Sequence, residues 1–238
     1  MHINSIKLRR KLKLRKIGFI GAFEKTDLIV YTARILTELG KRVLVIDTTI
    51  LQKARYIIPC IAPTKSYVTE YEGIDVAVGF EDLESLNGYM GDIENDYDIV
   101  LVDVDSYEKF DSFEIMNSEK IYFVTAFDSF SLKKGIEIIG TMRQKVRMKK
   151  ILFERDFLEE DDEYLNLLSM TYPIEWDEEK IYFPYDQGDL TAIIENQRVT
   201  KIKLKNLSEE YRDALFMLTQ EIVPEVKTGE IKKAFKNI

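Results

Sequence analysis

Residues 16–47 of the chain have the sequence KIGFIGAFEKTDLIVYTARILTELGKRVLVID. A short apolar run at 16–20 is followed by a turn, by apolar residues at helical spacing over 26–39, and by a second apolar run at 42–47. Gly40 follows the helical stretch and suits the left-handed position that commonly ends a helix. The segment therefore predicts a strand, a helix and a second strand, which is the unit of a parallel sheet.

The same change of apolar spacing continues along the chain. Further strands are predicted at 74–78, 99–103, 120–125, 150–154 and 180–183. Further helices are predicted at 81–90, 131–148, 161–170, 190–195 and 207–222, with the acidic run 159–163 at the start of one of them. The predicted strands are apolar on both faces, as parallel strands between two helix layers must be. We therefore predict an α/β fold with a single doubly wound, mostly parallel sheet, and leave 51–71 without an assignment.

Composition excludes several kinds of protein and site. The chain has 238 residues, of which 45% are apolar and 32% charged, and it lacks the roughly 18 to 20 consecutive apolar residues of a membrane-spanning helix. Its basic N-terminus has no apolar stretch typical of a secretory signal. Cys60 is the only cysteine and His2 the only histidine, so disulfides and sites built on either residue type are excluded. Any chemistry must use carboxylates, lysines, hydroxyls and backbone amides.

Charge is distributed unevenly along the chain. The net charge is −8, yet residues 7–16, KLRRKLKLRK, hold seven positive charges and no negative one. An acidic body argues against wrapping nucleic acid over a broad surface. Three interpretations of the basic segment remain open. It can be a solvated arm, a contact with phosphate or lipid, or an edge strand whose positive charge protects against aggregation. The predicted organisation is a basic arm at 1–15, one domain at 16–223, and a linker with a short tail at 224–238.

Loops with polar side chains follow four of the predicted strands. Because ligands of open α/β sheets bind at the carboxyl ends of the strands, these loops predict the site. They are residues 21–26, 47–49, 103–106 and 184–186.

The order of these segments resembles the ParA/MinD family of deviant-Walker P-loop ATPases, from about residue 16 to 223. GKRVLVID (40–47) is similar to the family's second strand, and NDYDIVLVD (95–103) to its Walker B strand. FPYD (183–186), followed by AIIENQRV, resembles the segment that lies against adenine, and SEEYRDALFMLTQEI (208–222) resembles the last domain helix. The resemblance implies a P-loop NTPase-like fold and a set of nucleotide-binding residues.

The implied roles are carried over position by position. Gly21, Lys25 and Thr26 match phosphate-loop residues, and Thr26 also matches a Mg²⁺ ligand, as does Asp103. Pro184 and Asp186 match the adenine segment. Asp47 would be catalytic if the protein hydrolyses ATP.

The phosphate loop departs from the family pattern Lys-Gly-Gly-x-Gly-Lys-Thr, since residues 20–26 are IGAFEKT. Ile20 replaces the lysine that reaches the partner subunit's nucleotide, and Ala22 and Glu24 replace glycines. A residue held in a strained backbone conformation costs on the order of 1–3 kcal/mol. A Glu24 carboxylate about 5 Å from a phosphate adds roughly 3 kcal/mol of repulsion at an effective dielectric constant near 20. Thr49 stands where a second acidic residue is usual, and the adenine-reading Asn is absent near 153–154. We expect either no nucleotide or weak ATP or ADP binding with Mg²⁺.

The last ten residues, GEIKKAFKNI (229–238), place apolar and basic side chains on opposite faces of a helix. This tail is similar to the C-terminal membrane-targeting helix of MinD proteins. The residues expected to contact an anionic membrane are Ile231, Lys232, Lys233, Phe235, Lys236 and Ile238. The alternative is that the tail docks on its own domain or frays.

Three functions are compatible with these features. The first is a pseudo-ATPase scaffold or spatial regulator that recruits or positions an assembly, such as a pilus, secretion, flagellar or partition machinery, through protein partners. The second is an active ATPase that cycles a dimer on membrane or DNA. The third is a DNA-binding partition protein that uses the basic arm. Family resemblance implies a cytoplasmic protein, peripheral on the inner face of the cell membrane if the tail binds there, and a homodimer, although Ile20 weakens the last expectation.

Overall fold

A single sheet of eight strands organises the molecule. The structure is a computed structural model that describes residues 14–61, 64–154 and 159–238. The strands are β1 (Arg15–Ile20), β2 (Val43–Asp47), β3 (Tyr67–Tyr71), β4 (Ile74–Val78), β5 (Ile99–Val104), β6 (Lys120–Ala126), β7 (Val146–Glu154) and β8 (Ile174–Pro184). Their order is β3-β4-β2-β5-β1-β6-β7-β8. Every neighbouring pair is parallel except β3 and β4, which are antiparallel.

Helices connect the strands and cover the sheet. They are α1 (Thr26–Glu38), α2 (Ala54–Ile57), α3 (Leu83–Met90), α4 (Ile93–Asp96), α5 (Tyr107–Ser112), α6 (Ser129–Gly140), α7 (Glu159–Ser169), α8 (Gln187–Arg198), α9 (Glu209–Ile222) and α10 (Thr228–Asn237). Two short 3₁₀ turns lie at Ile115–Asn117 and Leu204–Asn206. The part of the chain described contains no helix whose length and apolar character suffice to cross a bilayer.

Two hydrophobic cores lie on opposite faces of the sheet. Alternate residues of β1 enter different cores, because successive side chains of a strand point to opposite faces. Ile17 and Phe19 pack with side chains of α1 and α9, and Ile20 packs with side chains of α3 and α6. The predicted doubly wound, mostly parallel sheet is confirmed.

The predicted helix at 131–148 is wrong in its second half. Helix α6 ends at Gly140, and β7 begins at Val146. Val146 and Met148 are buried while Arg147 between them is exposed, which is the alternation of a strand. β7 then pairs with β8, which begins at Ile174, six residues before the predicted strand.

Strand β3 lies in the stretch that the sequence left unassigned. Glu72 and Gly73, with φ angles of 53° and 81°, form a two-residue turn that joins it to β4 as a hairpin. The Glu-Gly pair before an apolar run is the sequence signal for this turn. Of the predicted basic arm, residues 1–13 lie outside the described residues, so its alternatives stay predictions.

Candidate functional site

The loop between β1 and α1 is fixed by a close backbone contact at Gly21. Its φ angle is +145°, and a Cβ atom there would lie 2.1 Å from the carbonyl oxygen of Val124 in the neighbouring strand β6. The Gly21 amide donates to Val104 O at 3.1 Å, which ties the loop to β5. Only glycine fits this position, whether or not a ligand binds.

The lysine and the hydroxyl predicted to bind a nucleotide both contact the same carboxylate. Lys25 Nζ lies 2.7 Å from Asp103 Oδ1, and it also donates to Gly21 O at 2.8 Å. Thr26 Oγ1 donates to Asp103 Oδ2 at 3.1 Å. All three side chains are buried. The parallel pairing of β1 with β5, which sets Phe19 opposite Asp103, brings the end of β5 beneath the loop.

Asp103 is held in an unusual electrostatic environment. Burial raises the pKa of its carboxyl to about 7, and the nearby charge of Asp47 acts in the same direction, while the ammonium of Lys25 opposes the shift.

Glu24 lies over the N-terminal end of α1. Its Oε1 accepts the amide of Thr26 at 2.8 Å, and its Oε2 forms an ion pair with Lys53. Lys53 Nζ also lies 2.6 Å from Asp27 Oδ2. Helix N-termini attract anions through free amides and the helix dipole. Here a carboxylate of the protein occupies such a position.

Asp47, the predicted catalytic residue of an active enzyme, is turned toward the loop that follows β2. Its Oδ1 accepts the amide of Thr49 at 3.0 Å and the Thr49 hydroxyl at 2.6 Å, and its Oδ2 accepts the amide of Ala54 at 2.9 Å. Both oxygens therefore hold the backbone that leads into α2.

Pro184 and Asp186 lie at a second, neighbouring cavity of about 230 Å³. Asp186 Oδ1 accepts the amides of Gly188 at 2.6 Å and Asp189 at 3.2 Å, so it caps α8. Phe23 of the loop packs into the same region, with its ring centroid 4.7 Å from that of Phe153.

Sequence reasoning missed two groups that shape this site. Lys53 lies in the unassigned stretch, and its pairing with Glu24 and Asp27 needs the folded loop to bring them together. Phe23 stands at the variable position of the loop pattern, so no motif predicts its packing beside the second cavity. An aromatic side chain beside a charged one in a phosphate loop was the available signal.

The groups that the resemblance implies for holding a magnesium–triphosphate contact other groups of the protein in this arrangement. The cation and the hydroxyl that would hold it are both bound to Asp103, and the Glu24 carboxylate takes the first amide of α1.

The predicted membrane residues lie on α10, except Ile238, which directly follows it, and α10 packs against α1 and α9. Ile231 and Ala234 are buried, and Phe235 and Ile238 are partly buried against the first core. The side chains of Lys232, Lys233 and Lys236 are exposed. The apolar face is thus covered by the domain itself, as in the alternative that the sequence left open.

Solved structures identify the fold. A ParA family ATPase from Chlorobium tepidum TLS superposes with a TM-score of 0.59 at 13% identity, covering 85% of this chain and 96% of the other. The chain has the ParA/MinD ATPase fold. A chain of the MinC:MinD cell division complex of Aquifex aeolicus gives a TM-score of 0.56 at 17% identity, covering 90% and 97%. The McdA–ATP complex of Cyanothece gives 0.53 at 11% identity, covering 88% and 96%. No protein-family model matches the sequence, and no curated protein matches it significantly.

Proposed function

We propose that this ParA/MinD-like chain is a pseudo-ATPase. It acts as a scaffold or spatial regulator that recruits or positions a cellular assembly, such as a pilus, secretion, flagellar or partition machinery. One observation carries the proposal: Lys25 and Thr26 are both bound to Asp103, while Glu24 occupies the end of α1 where a phosphate would lie.

The energies support this interpretation. A phosphate that binds Lys25 must separate this lysine from Asp103. Breaking a buried ion pair by removing one partner costs about 3–5 kcal/mol, because the other charge is left uncompensated. Repulsion between Glu24 and a phosphate adds about 3 kcal/mol. Micromolar binding supplies about 8 kcal/mol in total. The two costs together, about 6–8 kcal/mol, offset nearly all of that, so nucleotide affinity becomes weaker than millimolar.

A protein partner fits this role better than a nucleotide cycle. The similar Aquifex aeolicus structure is a complex of MinD with MinC, which supports a protein partner here too. The McdA structure contains ATP, which supports a vestigial nucleotide site in this fold.

Calorimetric titration with Mg-ATP tests the proposal. We expect no saturable heat up to 1 mM for the wild type, for Lys25→Ala, and for the control Lys201→Ala, whose side chain is exposed on the surface. Saturable heat that Lys25→Ala abolishes and Lys201→Ala preserves would contradict it.

The second candidate is an active ATPase that cycles a dimer. The retention of Lys25, Thr26 and Asp103 favours it, since these are the residues that the family resemblance implies. Phosphate release that Lys25→Ala eliminates would establish this function and reject the scaffold.

The proposal includes a peripheral contact with anionic membranes through α10. Its exposed lysines contribute roughly 1 kcal/mol each near an anionic leaflet, without insertion of the buried face. Replacing Lys232, Lys233 and Lys236 by Gln should abolish sedimentation with anionic liposomes at low salt. Unchanged sedimentation would move the contact to another part of the chain.

A further inference from the structure

Two cavities lie side by side at the carboxyl edge of the sheet. One, of about 410 Å³, lies over the β1–α1 loop, and the other, of about 230 Å³, lies beside β8 and α8. They share the side chains of Phe23, Glu24 and Lys53 as a common wall. Together they form one depression, which we call the rim groove.

Large apolar side chains flank the rim groove on both sides. Leu51 is 79% exposed and Tyr56 80% exposed, and both line the first cavity. Across the wall, Tyr185, Leu190 and Ile194 are 46%, 39% and 48% exposed and line the second. Isolated exposed apolar residues are ordinary, but their concentration around one depression marks an interaction site.

The floor of the rim groove is acidic. Six carboxylates and two ammonium groups line the two cavities. Both lysines are already paired, Lys25 with Asp103 and Lys53 with Glu24 and Asp27. Among the described residues that line the groove, an anionic ligand would therefore meet excess negative charge and no free cation.

Two of these carboxylates are available to a partner's cation. Asp105, at one end of the groove, accepts the amide of Ile50 at 3.0 Å, and Asp186, at the other, caps α8. Neither forms an ion pair with any residue within the described ranges. The rim groove therefore combines exposed apolar side chains at its sides with carboxylates that no cation of the described residues neutralises.

We propose that the rim groove binds a protein segment in which Lys or Arg alternates with large apolar residues. This inference rests on the proposed scaffold function and names the chemistry of its partner. The apolar side chains of the segment pack on Leu51 and Tyr56 at one lip and on Tyr185 and Leu190 at the other, while its cations reach the carboxylates between. A second copy facing the same groove would oppose acidic floor to acidic floor, so charge favours a different, basic chain.

The probe is a fluorescein-labelled twelve-residue peptide of alternating Leu and Arg, and its binding is measured by anisotropy. We expect Leu51→Ser combined with Tyr56→Ser to weaken binding at least tenfold. The matched control replaces Leu167 and Tyr164 by Ser, which are 62% and 46% exposed on α7 and do not line the groove. This control should change binding less than twofold.

A second pair of variants tests the charge. Asp105→Asn keeps an oxygen for the Ile50 amide and should weaken peptide binding about threefold while flattening its salt dependence. The control Asp213→Asn, on the exposed face of α9, should do neither. A peptide with Ser in place of Leu, or Gln in place of Arg, should bind at least tenfold more weakly.

The proposal is overturned by absence of saturable peptide binding, by binding insensitive to the groove variants, or by a wild-type dimer that these variants dissociate. Calorimetry with Mg-ATP on the same preparations separates the two proposals. Saturable nucleotide binding beside groove-dependent peptide binding rejects only the pseudo-ATPase function. Absence of nucleotide binding beside groove-independent peptide binding rejects only the groove.

Discussion

At the scale of the residue, Gly21 shows that a loop can keep a glycine for steric reasons alone. A Cβ atom in Gly21→Ala would lie 2.1 Å from Val124 O at a φ angle of +145°. We expect the free energy of unfolding in urea to fall by about 3 kcal/mol or more. Gly88→Ala is the control, because Gly88 lies inside α3 with nothing within 4 Å of the added atom, and it should gain about 0.5–1 kcal/mol. Equal effects of the two substitutions would contradict this assignment.

Glu24 is the residue that most directly opposes a phosphate. Glu24→Gln keeps an acceptor for the Thr26 amide and removes the charge, so the roughly 3 kcal/mol of repulsion disappears. We expect saturable Mg-ATP binding, absent from the wild type, to appear in calorimetry with Glu24→Gln and to strengthen further with Glu24→Gly. Glu178→Gln, on the exposed side of β8, should leave the affinity unchanged. Wild-type affinity in both Glu24 variants would show that this carboxylate does not block the site.

Asp103 links stability to pH. Since its pKa rises from 3.8 to about 7 in the folded chain, the folded state holds a proton that the unfolded state has released between about pH 4 and 7. The free energy of unfolding therefore falls as pH rises through this window, by at most about 1.4 kcal/mol per pH unit. Asp103→Asn removes this titration, so the stability advantage of the wild type over the variant should shrink from pH 4.5 to 7.5. A stability advantage of the wild type that stays constant or grows over this pH range would contradict the raised pKa of Asp103.

At the scale of the element, the predictable strands are those buried on both faces. β1, β2 and β5 were found from their apolar runs, because a strand between two helix layers needs such residues throughout. β7 was mistaken in part because Ile139, Met142 and Val146 are spaced as on a helix. What makes 146–148 a strand is its pairing with β8, a contact between distant segments that local spacing does not encode.

The residues of the candidate site were predictable from the sequence, but their contacts were not. Gly21, Lys25, Thr26 and Asp103 were located from their places after strands, and the sheet brings them together. Their mutual pairing was not predicted, because no rule of spacing tells whether a lysine faces a ligand or the neighbouring aspartate. The link from Lys53 to Glu24 depends on a loop whose path only the folded chain defines.

Helix α10 offers the prediction at this scale. Ile231 is fully buried, so Ile231→Ala should weaken the docking of α10 by about 2–4 kcal/mol. In hydrogen exchange, the α10 amides should then lose at least tenfold of their protection while those of β5 keep theirs. Lys233→Ala, on the exposed face, is the matched control and should change neither. Unaltered protection in Ile231→Ala would mean that other contacts hold the helix.

At the scale of the whole molecule, the distribution of charge constrains how the chain assembles. Its net charge is −8 even with the seven cations of 7–16, and the described residues that line the two cavities of its carboxyl rim include six carboxylates and two lysines. The family resemblance implies dimers joined across this rim by a lysine at the place of Ile20. Ile20 is uncharged and fully buried in the second core, so it cannot reach a neighbouring chain.

Mg-ATP should therefore leave the molecule in the same state of association. In sedimentation equilibrium we expect one mass, that of the single chain, with and without 2 mM Mg-ATP, because two acidic rims repel and Ile20 leaves the bridging position without a cation. Raising the salt to 0.5 M screens that repulsion and provides the internal control, since any dimer it reveals arises without nucleotide. A doubling of mass that requires Mg-ATP and is lost in Lys25→Ala would restore the nucleotide-driven dimer and remove the physical basis for a scaffold that works without turnover.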